Sequence, residues 1–425
     1  MQVLDLVKKP VTGMKDILPQ EMKIRNYVLQ QVRETYSKYG FTEIETPIVE
    51  HLGNLCSNQG GENEKLIFRI LKRGEKLKLD EAKDVSDLSD SGLRYDLTLP
   101  LSRYYSNHSA ELPVPFKAFQ TGSVFRADRP QRGRFRQFTQ CDIDILGDSS
   151  VLAETELILA TSSLLLKLGF KGFTVHISDR KLLKAMAAAS GIDENEASEV
   201  FIVLDKMDKI GIEGVKEELL QKGIASERID SFLGFFLFKQ DSSAEDETHA
   251  VSELGEKLGD NVSSDTVSSL ISIIKNVSAV QKNSDYRIIF DPCLVRGMSY
   301  YTGTIFEITI DSFGSSIAGG GRYDGMVERF TGKAVPACGF SIGFERIITM
   351  LIEQGFKVPG DDGKVAFLLD KKLSSEKIPE IMERANNLRE EGKVVLVTGM
   401  MKNKKFQKEN LSQEGYQTIE EIFGN

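Results

Sequence analysis

Between Glu21 and Tyr39 the positions Ile24, Tyr27, Val28, Val32 and Tyr36 recur on one side of a 3.6-residue helix, which predicts an amphipathic helix. Residues 40–47 then alternate apolar and polar and read as a strand. Alternation returns over residues 93–100, where Leu93, Tyr95, Leu97 and Leu99 interleave with Arg94, Asp96 and Thr98, so a strand with one polar face is expected there as well. Two further strand-like runs between Phe116 and Ile145 flank Asp128-Arg-Pro-Gln-Arg-Gly133, whose proline and glycine mark a turn. This segment reads as a hairpin with a long basic loop.

Residues 150–168 have a helical pattern and 173–177 a strand pattern. From about 180 to 285 the chain turns rich in Lys, Glu, Asp, Ser, Leu and Ile at helical spacing and nearly lacks proline, which marks 179–285 as a helical insertion. Strand signals resume at 305–310, followed by a turn at 311–314, the glycine-rich Gly319-Gly-Gly-Arg-Tyr-Asp-Gly325, and a helix from near Gly343 carrying Ile347, Ile348 and Leu351. Residues 358–363 have linker composition. Beyond them a strand at 365–369, a helix at 375–391, a strand at 394–397 and a lysine-rich helix near 402–408 predict a small α/β domain over 364–425. The expected architecture is α+β: a core in two parts, 1–178 and 286–357, interrupted by the insertion and followed by the small domain.

The 425 residues carry a formal net charge of −9, which argues against a uniformly basic nucleic-acid-binding surface but not against local basic patches. No apolar run reaches the roughly 18–20 residues of a membrane span, and the first residues lack a signal-peptide layout, so a cytoplasmic protein without membrane association is expected. Cys56, Cys141, Cys293 and Cys338 form no CxxC, and His51, His108, His176 and His249 share no ligand spacing. Neither a disulfide framework nor a side-chain metal site is predicted.

Against that acidic background, residues 126–136 hold five arginines and one acid. Guanidinium groups carry permanent charge and a planar fork of donors matched to phosphate oxygens, so this loop suits a triphosphate or an RNA end; a solvated turn is the alternative. After the loop, Phe138, Gln140, Asp142 and Asp144 fall on one face of the following strand. An amide among carboxylates suits a small cationic ligand, and a solvent-facing sheet surface is the competing reading. Arg296-Gly-Met-Ser-Tyr-Tyr-Thr-Gly303 joins an arginine and adjacent tyrosines to glycines that let backbone approach a ligand. Neither Gly319–Gly325 nor Thr331-Gly-Lys-Ala334 has the spacing of a dinucleotide or P-loop site. Arg346 stands in the first turn of a helix, where it can face an anion.

Taken in order, these segments resemble the class II aminoacyl-tRNA synthetases, and within them the histidyl-tRNA synthetase family. Residues 40–50 are similar to the first class motif, 125–147 to the second with its arginine loop, and 336–346 to the third. Arg296–Gly303 is similar to the family's RGLDYYTG signature, with Ser299 in place of aspartate, and Gly13-Met-Lys-Asp-Ile-Leu-Pro19 resembles its N-terminal segment. The resemblance implies an antiparallel-sheet catalytic core and an anticodon-binding-like domain at 364–425, which ends at Asn425 short of that domain's final elements.

The resemblance further implies that Asp96, Thr98 and Gln140 hold the α-amino group of L-histidine, and that Asp144 and Tyr301, with Tyr300, read its imidazole. It places Arg126 and Arg296 on the α-phosphate of ATP as catalytic residues, Arg346 on the γ-phosphate, and Arg129 and Gln131 at the tRNA acceptor end. Mg2+ accompanies ATP, tRNA(His) receives the amino acid, and the family acts as a homodimer. Two other readings stay open: a synthetase-like, histidine-sensing regulatory subunit of ATP phosphoribosyltransferase, and an amino-acid-activating paralogue that does not charge tRNA.

Overall fold

The computed structural model describes residues 7–56, 63–236, 244–281, 285–295, 300–359 and 363–424. Two compact units emerge, one of residues 1–16 and 28–350, the other of 17–27 and 351–425. The expected first helix runs from Pro19 to Lys38.

Within the first unit, strands β1 (Thr42–Glu43), β2 (Val49–His51), β3 (Arg69–Leu71), β4 (Ser89–Leu93), β5 (Phe116–Phe125), β6 (Gln137–Leu146), β7 (Phe173–Asp179), β8 (Tyr286–Phe290), β9 (Thr304–Ile310), β10 (Ser315–Arg322) and β11 (Ala337–Ile342) build two sheets. Eight strands join in the order β1-β5-β6-β11-β10-β9-β7-β8, and β2-β4-β3 form a small second sheet. The six central strands of the large sheet are antiparallel, while β1 and β8 attach in parallel at its edges. Phe119, Ile143, Ile145, Phe340 and Ile342 are buried, and Tyr36 of the first helix sets its ring edge-on to Phe119, centroids 5.6 Å apart.

The opposite face is polar. Register lines up Gln120, Asp142, Ser341, Gly319, Glu307 and His176 in one row across β5, β6, β11, β10, β9 and β7. The neighbouring row contains Asp144, Gly339 and Gly321. Glycine at 339 is a packing requirement: a Cβ there would lie 2.0 Å from Asp144 Oδ1. Gly319 and Gly321 are thus strand residues on the polar face, while Gly320 points to the other side against Phe306, where the sequence shows only a glycine-rich stretch.

Two expected strands are shorter than the alternation suggests. Only Thr42–Glu43 of residues 40–47 pair with β5, and Pro47 has no N–H to extend the ladder. At 93–100 the strand ends at Leu93 and a helix starts at Thr98. The turn between them is set by Arg94, whose buried guanidinium donates to Thr46 O at 2.6 Å and Ser123 O at 3.0 Å, and by Asp96, whose Oδ1 accepts from Leu99 N at 3.2 Å. The described residues of 180–280 are mainly helical, with helices Arg180–Ala189, Glu194–Leu204, Met207–Gln221, Ser226–Gly234, Ala244–Leu258 and Ser264–Val280.

In the second unit β12 (Lys364–Leu369), β13 (Val395–Gly399) and β14 (Tyr416–Ile422) form a parallel sheet in the order β13-β12-β14. Phe367 packs with Ile381 and Ala385 of helix Ile378–Glu390, while Ala366 and Leu368 pack with Leu411 of helix Lys404–Gln413. The lysines of the latter helix are less available than the sequence suggests, since Lys404 and Lys408 both pair with Glu421 on β14.

Candidate active site

A cavity of about 580 Å3 opens on the polar face of the large sheet. Asp96, Thr98, Arg126, Gln140, Asp144, Tyr300, Tyr301 and Arg346, eight of the residues singled out from sequence, line it together. Arg129 and Gln131 do not; both are exposed on the outer side of the arginine loop, where Gln131 N donates to Arg134 O at 3.0 Å and closes a turn. Arg296 lies outside the described residues.

The floor is acidic and dry. Asp96, Asp142 and Asp144 are 2–3% exposed and Gln140 is 9% exposed. Burial disfavours the charged carboxylate, so the pKa of Asp96 is pushed up to about 6 against the attraction of Arg126, and that of Asp142 up to about 7, with Asp96 adding to the rise. Asp144 is driven in the same direction by burial and then by Asp142, although the Tyr323 hydroxyl donates to its Oδ1 at 2.6 Å. Among the described residues, three buried oxygens, Asp96 Oδ2, Gln140 Oε1 and Asp144 Oδ2, have no hydrogen-bond partner. Such orphans are rare because each carries its full desolvation cost, so three acceptors around one cavity fit a ligand that brings donors. The strand face is therefore buried and not the solvent-facing surface of the competing reading.

Aromatic rings form one wall. Tyr300 and Tyr301 have centroids 4.8 Å apart, and Tyr323 meets Tyr300 edge-on at 6.0 Å. The Tyr300 hydroxyl is hydrogen-bonded to Thr98, and burial lifts its pKa well above the usual phenol value. Thr302 N donates to Arg322 O at 2.8 Å, and the Arg322 guanidinium forms a bidentate pair with buried Glu154 at 2.7 and 2.8 Å, tying this wall to helix Leu152–Lys167.

Cations gather toward the other end. Arg126 Nε donates to Tyr95 O at 2.8 Å and its guanidinium lies 5.2 Å from the Phe138 ring centroid. Arg346, in the first turn of helix Phe344–Glu353, donates to Ser316 O. The arginine loop closes over it: Gly133, at φ 68°, is so near that a Cβ would lie 3.1 Å from Arg346 Cγ. Arg134 pairs with Asp128 at 2.9 Å, and Arg132 stacks 4.8 Å from the Phe313 ring. The site thus runs from three carboxylates to a rim of guanidiniums, a polarity suited to a substrate cationic at one end and polyanionic at the other.

Several lining residues escape the sequence reading. Asp142 falls on the recognised strand face without an assigned role, whereas Ser341 and Tyr323 reach the floor only through the register of β6, β11 and β10. Asp205 and Lys209 come from the helical insertion, where no local pattern distinguishes them from solvated charges.

Residues 13–347 match the family described as histidyl-tRNA synthetase. A histidine–tRNA ligase of Leifsonia xyli subsp. xyli is 44% identical over 348 residues, 80% of this chain and 80% of its own. One from Porphyromonas gingivalis is 35% identical over 395 residues, 89% of this chain and 84% of its own. The crystal structure of histidyl-tRNA synthetase from Nostoc sp. PCC 7120 superposes with a TM-score of 0.79 at 27% identity, covering 99% of this chain and 92% of that one. An ATP phosphoribosyltransferase regulatory subunit/histidyl-tRNA synthetase from Bacillus halodurans C shares the fold, with a TM-score of 0.76 at 20% identity over 98% of this chain and 100% of that one. With a match spanning nearly the whole first unit and relatives this similar over most of their length, the chain belongs to the histidyl-tRNA synthetase family.

Proposed function

We propose that this protein is a histidine–tRNA ligase that activates L-histidine with ATP and transfers it to tRNA(His). The observation that carries the reading is the trio of partnerless acceptors, Asp96 Oδ2, Gln140 Oε1 and Asp144 Oδ2, at the floor of a cavity whose far end is lined by Arg126 and Arg346. An α-ammonium satisfies Asp96 and Gln140 beside Thr98, and an imidazole N–H satisfies Asp144 between Tyr300 and Tyr301. The substrate carboxylate is then directed toward the arginines.

Chemistry there needs no side-chain nucleophile. A carboxylate oxygen of histidine attacks the α-phosphorus of ATP, the bond to the bridging oxygen breaks, and pyrophosphate leaves, giving histidyl-adenylate. Two anions must approach, and guanidiniums at Arg126 and Arg296 on the α-phosphate and Arg346 on the γ-phosphate relieve that repulsion most where charge accumulates in the transition state. Arg126 is suited to this task because its tether to Tyr95 O fixes it before substrate arrives. Mg2+ would accompany ATP, held by its phosphates. In the second step the terminal ribose hydroxyl of tRNA attacks the adenylate carbonyl and AMP leaves, with Arg129 and Gln131 meeting the acceptor end from outside the cavity.

The same reading makes the chain a cytoplasmic homodimer; Ile48 and Val49, 44% and 48% exposed in the region of the small sheet, and Leu71 of β3 at 54% supply apolar surface for a partner copy. No described helix is long and apolar enough to cross a membrane. Residues 364–425 would serve the anticodon end of tRNA. The tethered arginine loop favours ligation over a purely regulatory role, since histidine sensing needs the floor and not the rim. Histidine-dependent ATP–pyrophosphate exchange followed by transfer of labelled histidine to tRNA(His) tests the proposal. Exchange and transfer are expected; histidine binding without exchange would point to the regulatory reading, and exchange without transfer to an activating paralogue.

A further inference from the structure

Gln140 can turn either of two faces to a ligand, a carbonyl oxygen that accepts or an NH2 group that donates, and the choice decides whether an ammonium is welcomed or repelled. Its Nε2 lies 3.3 and 3.5 Å from the carboxylate oxygens of Asp142 and 3.3 Å from Ser341 Oγ. The nitrogen therefore faces the carboxylate, whose charged form only accepts. Ser341 spends its own proton on Asp142, which leaves its oxygen to accept from the amide. Strand register makes this arrangement rigid: Ser341 stands directly across from Asp142 on β11, and Gln140 follows two positions along the same face of β6. Oε1 is what remains, buried, partnerless and on the cavity.

We infer that Asp142, together with Ser341, locks the Gln140 amide so that only its oxygen faces the amino-acid substrate, which makes Asp142 a positioning residue for histidine recognition. This deepens the ligase reading and rests on it. With the amide locked, Asp96 Oδ2, Gln140 Oε1 and Asp144 Oδ2 present acceptors alone. A reversed amide would place two N–H donors against the ammonium and its oxygen against the Asp142 carboxylate, so both contacts would turn repulsive.

The test is Asp142→Asn, which keeps shape but offers Gln140 a donor as readily as an acceptor, with Ser341→Ala as the milder change. Histidine affinity is measured by calorimetry without ATP, and both KM values by pyrophosphate exchange, on the full chain. Asp142→Asn is expected to weaken histidine binding and raise its KM by about tenfold, and Ser341→Ala by about threefold, with the ATP KM within about twofold of the parent. Histidine affinity within about twofold of the parent in both variants, or an equal rise in both KM values, overturns the inference. If the parent binds histidine without catalysing exchange, the calorimetric comparison still decides the role of Asp142 while the ligase reading falls. A parent that binds no histidine overturns both.

Discussion

Asp144 on β6 and Arg134 on the loop just before it line the same cavity, yet their charges are handled in opposite ways. Arg134, about half exposed, has its ion-pair partner Asp128 at 2.9 Å, while Arg136 donates to Asp128 O at 3.1 Å and Thr12 O at 3.3 Å. Rim cations are thus held by the protein itself and keep donors to spare, because a guanidinium has five. Floor carboxylates are removed from water and pushed toward the neutral form chiefly by that burial, and Asp96 and Asp144 each keep an acceptor with no partner among the described residues. The contrast assigns the two ends different work. A cationic group entering the floor relieves an electrostatic cost already present in the fold, whereas an anion at the rim uses charges that are comfortable without it. Specificity for the amino acid should therefore reside in the floor, and charge compensation during phosphoryl chemistry in the rim.

Breaking the floor should have the largest effect. In Asp144→Asn the Tyr323 hydroxyl can still donate to the new amide oxygen, which leaves NH2 facing an imidazole N–H, donor against donor. Histidine-dependent pyrophosphate exchange is expected to fall roughly 10³-fold in kcat/KM for histidine, with the ATP KM changed far less. A drop shared equally by both substrates would mean that Asp144 supports the fold and not the amino-acid site.

The second test separates cost from use. Asp96 has a folded pKa of about 6, above the ordinary carboxylate range near 3.9, so between those values the native state holds a proton that the unfolded chain has lost. Stability therefore declines as pH rises through that window, and the penalty is complete above it. Asp96→Asn carries no such penalty and should be more stable than the parent at pH 8 by on the order of 2 kcal/mol, while matching it near pH 4. Thermal melts at the two pH values check this, and a variant less stable at pH 8 would contradict the view of the floor as stored cost. The gain should come with weaker histidine binding.

How much of this contrast could be read from sequence depends on whether local pattern or register creates it. The hairpin β5–β6, its arginine loop and the shared face of Gln140 and Asp144 are legible because a period of two survives any tertiary context. Residues 93–100 mislead for a physical reason: Tyr95, Leu97 and Leu99 are buried, but so are Arg94, Asp96 and Thr98, so alternation there does not divide a wet face from a dry one. Burial from all sides accommodates a turn as easily as a strand. Ser341 and Tyr323 are illegible as partners of Asp142 and Asp144 because β11 and β10 join β6 from almost two hundred residues away, and nothing local specifies that register. Strand β14 is similarly hidden, since Tyr-Gln-Thr-Ile-Glu-Glu-Ile has little alternation and draws part of its support from pairs between Glu420 and Arg384 and between Glu421 and two lysines.

Smaller effects should follow from loosening the rim. Arg136 N donates to Gly13 O at 2.8 Å, and Lys15 rests 4.7 Å from the Phe135 ring, so the N-terminal segment straps down the arginine loop. Gly13 has φ +84°, and a Cβ there would lie 2.7 Å from Arg136 Cγ and 3.0 Å from Pro130 Cγ. Gly13→Ala must shift the loop or strain the backbone, at a cost of roughly 1–2 kcal/mol. We expect the ATP KM to rise about fivefold with histidine affinity unchanged, because the floor shares none of these contacts. Weakened histidine binding would show that floor and rim are coupled more tightly than their geometry suggests.

The smallest effect is expected at Arg129, which is exposed and does not line the cavity. If it meets a phosphate at the tRNA acceptor end, Arg129→Ala should leave pyrophosphate exchange untouched and raise the tRNA KM about two- to threefold at low salt. The difference should shrink as salt increases, because one lost contact lowers the slope of log affinity against log salt by about 0.7–0.9. Aminoacylation measured at several ionic strengths reads both quantities. A parallel slope with an unchanged KM would remove Arg129 from the RNA contact and leave it as a charge that only keeps the loop solvated, which would confine the working part of the rim to the arginines that line the cavity.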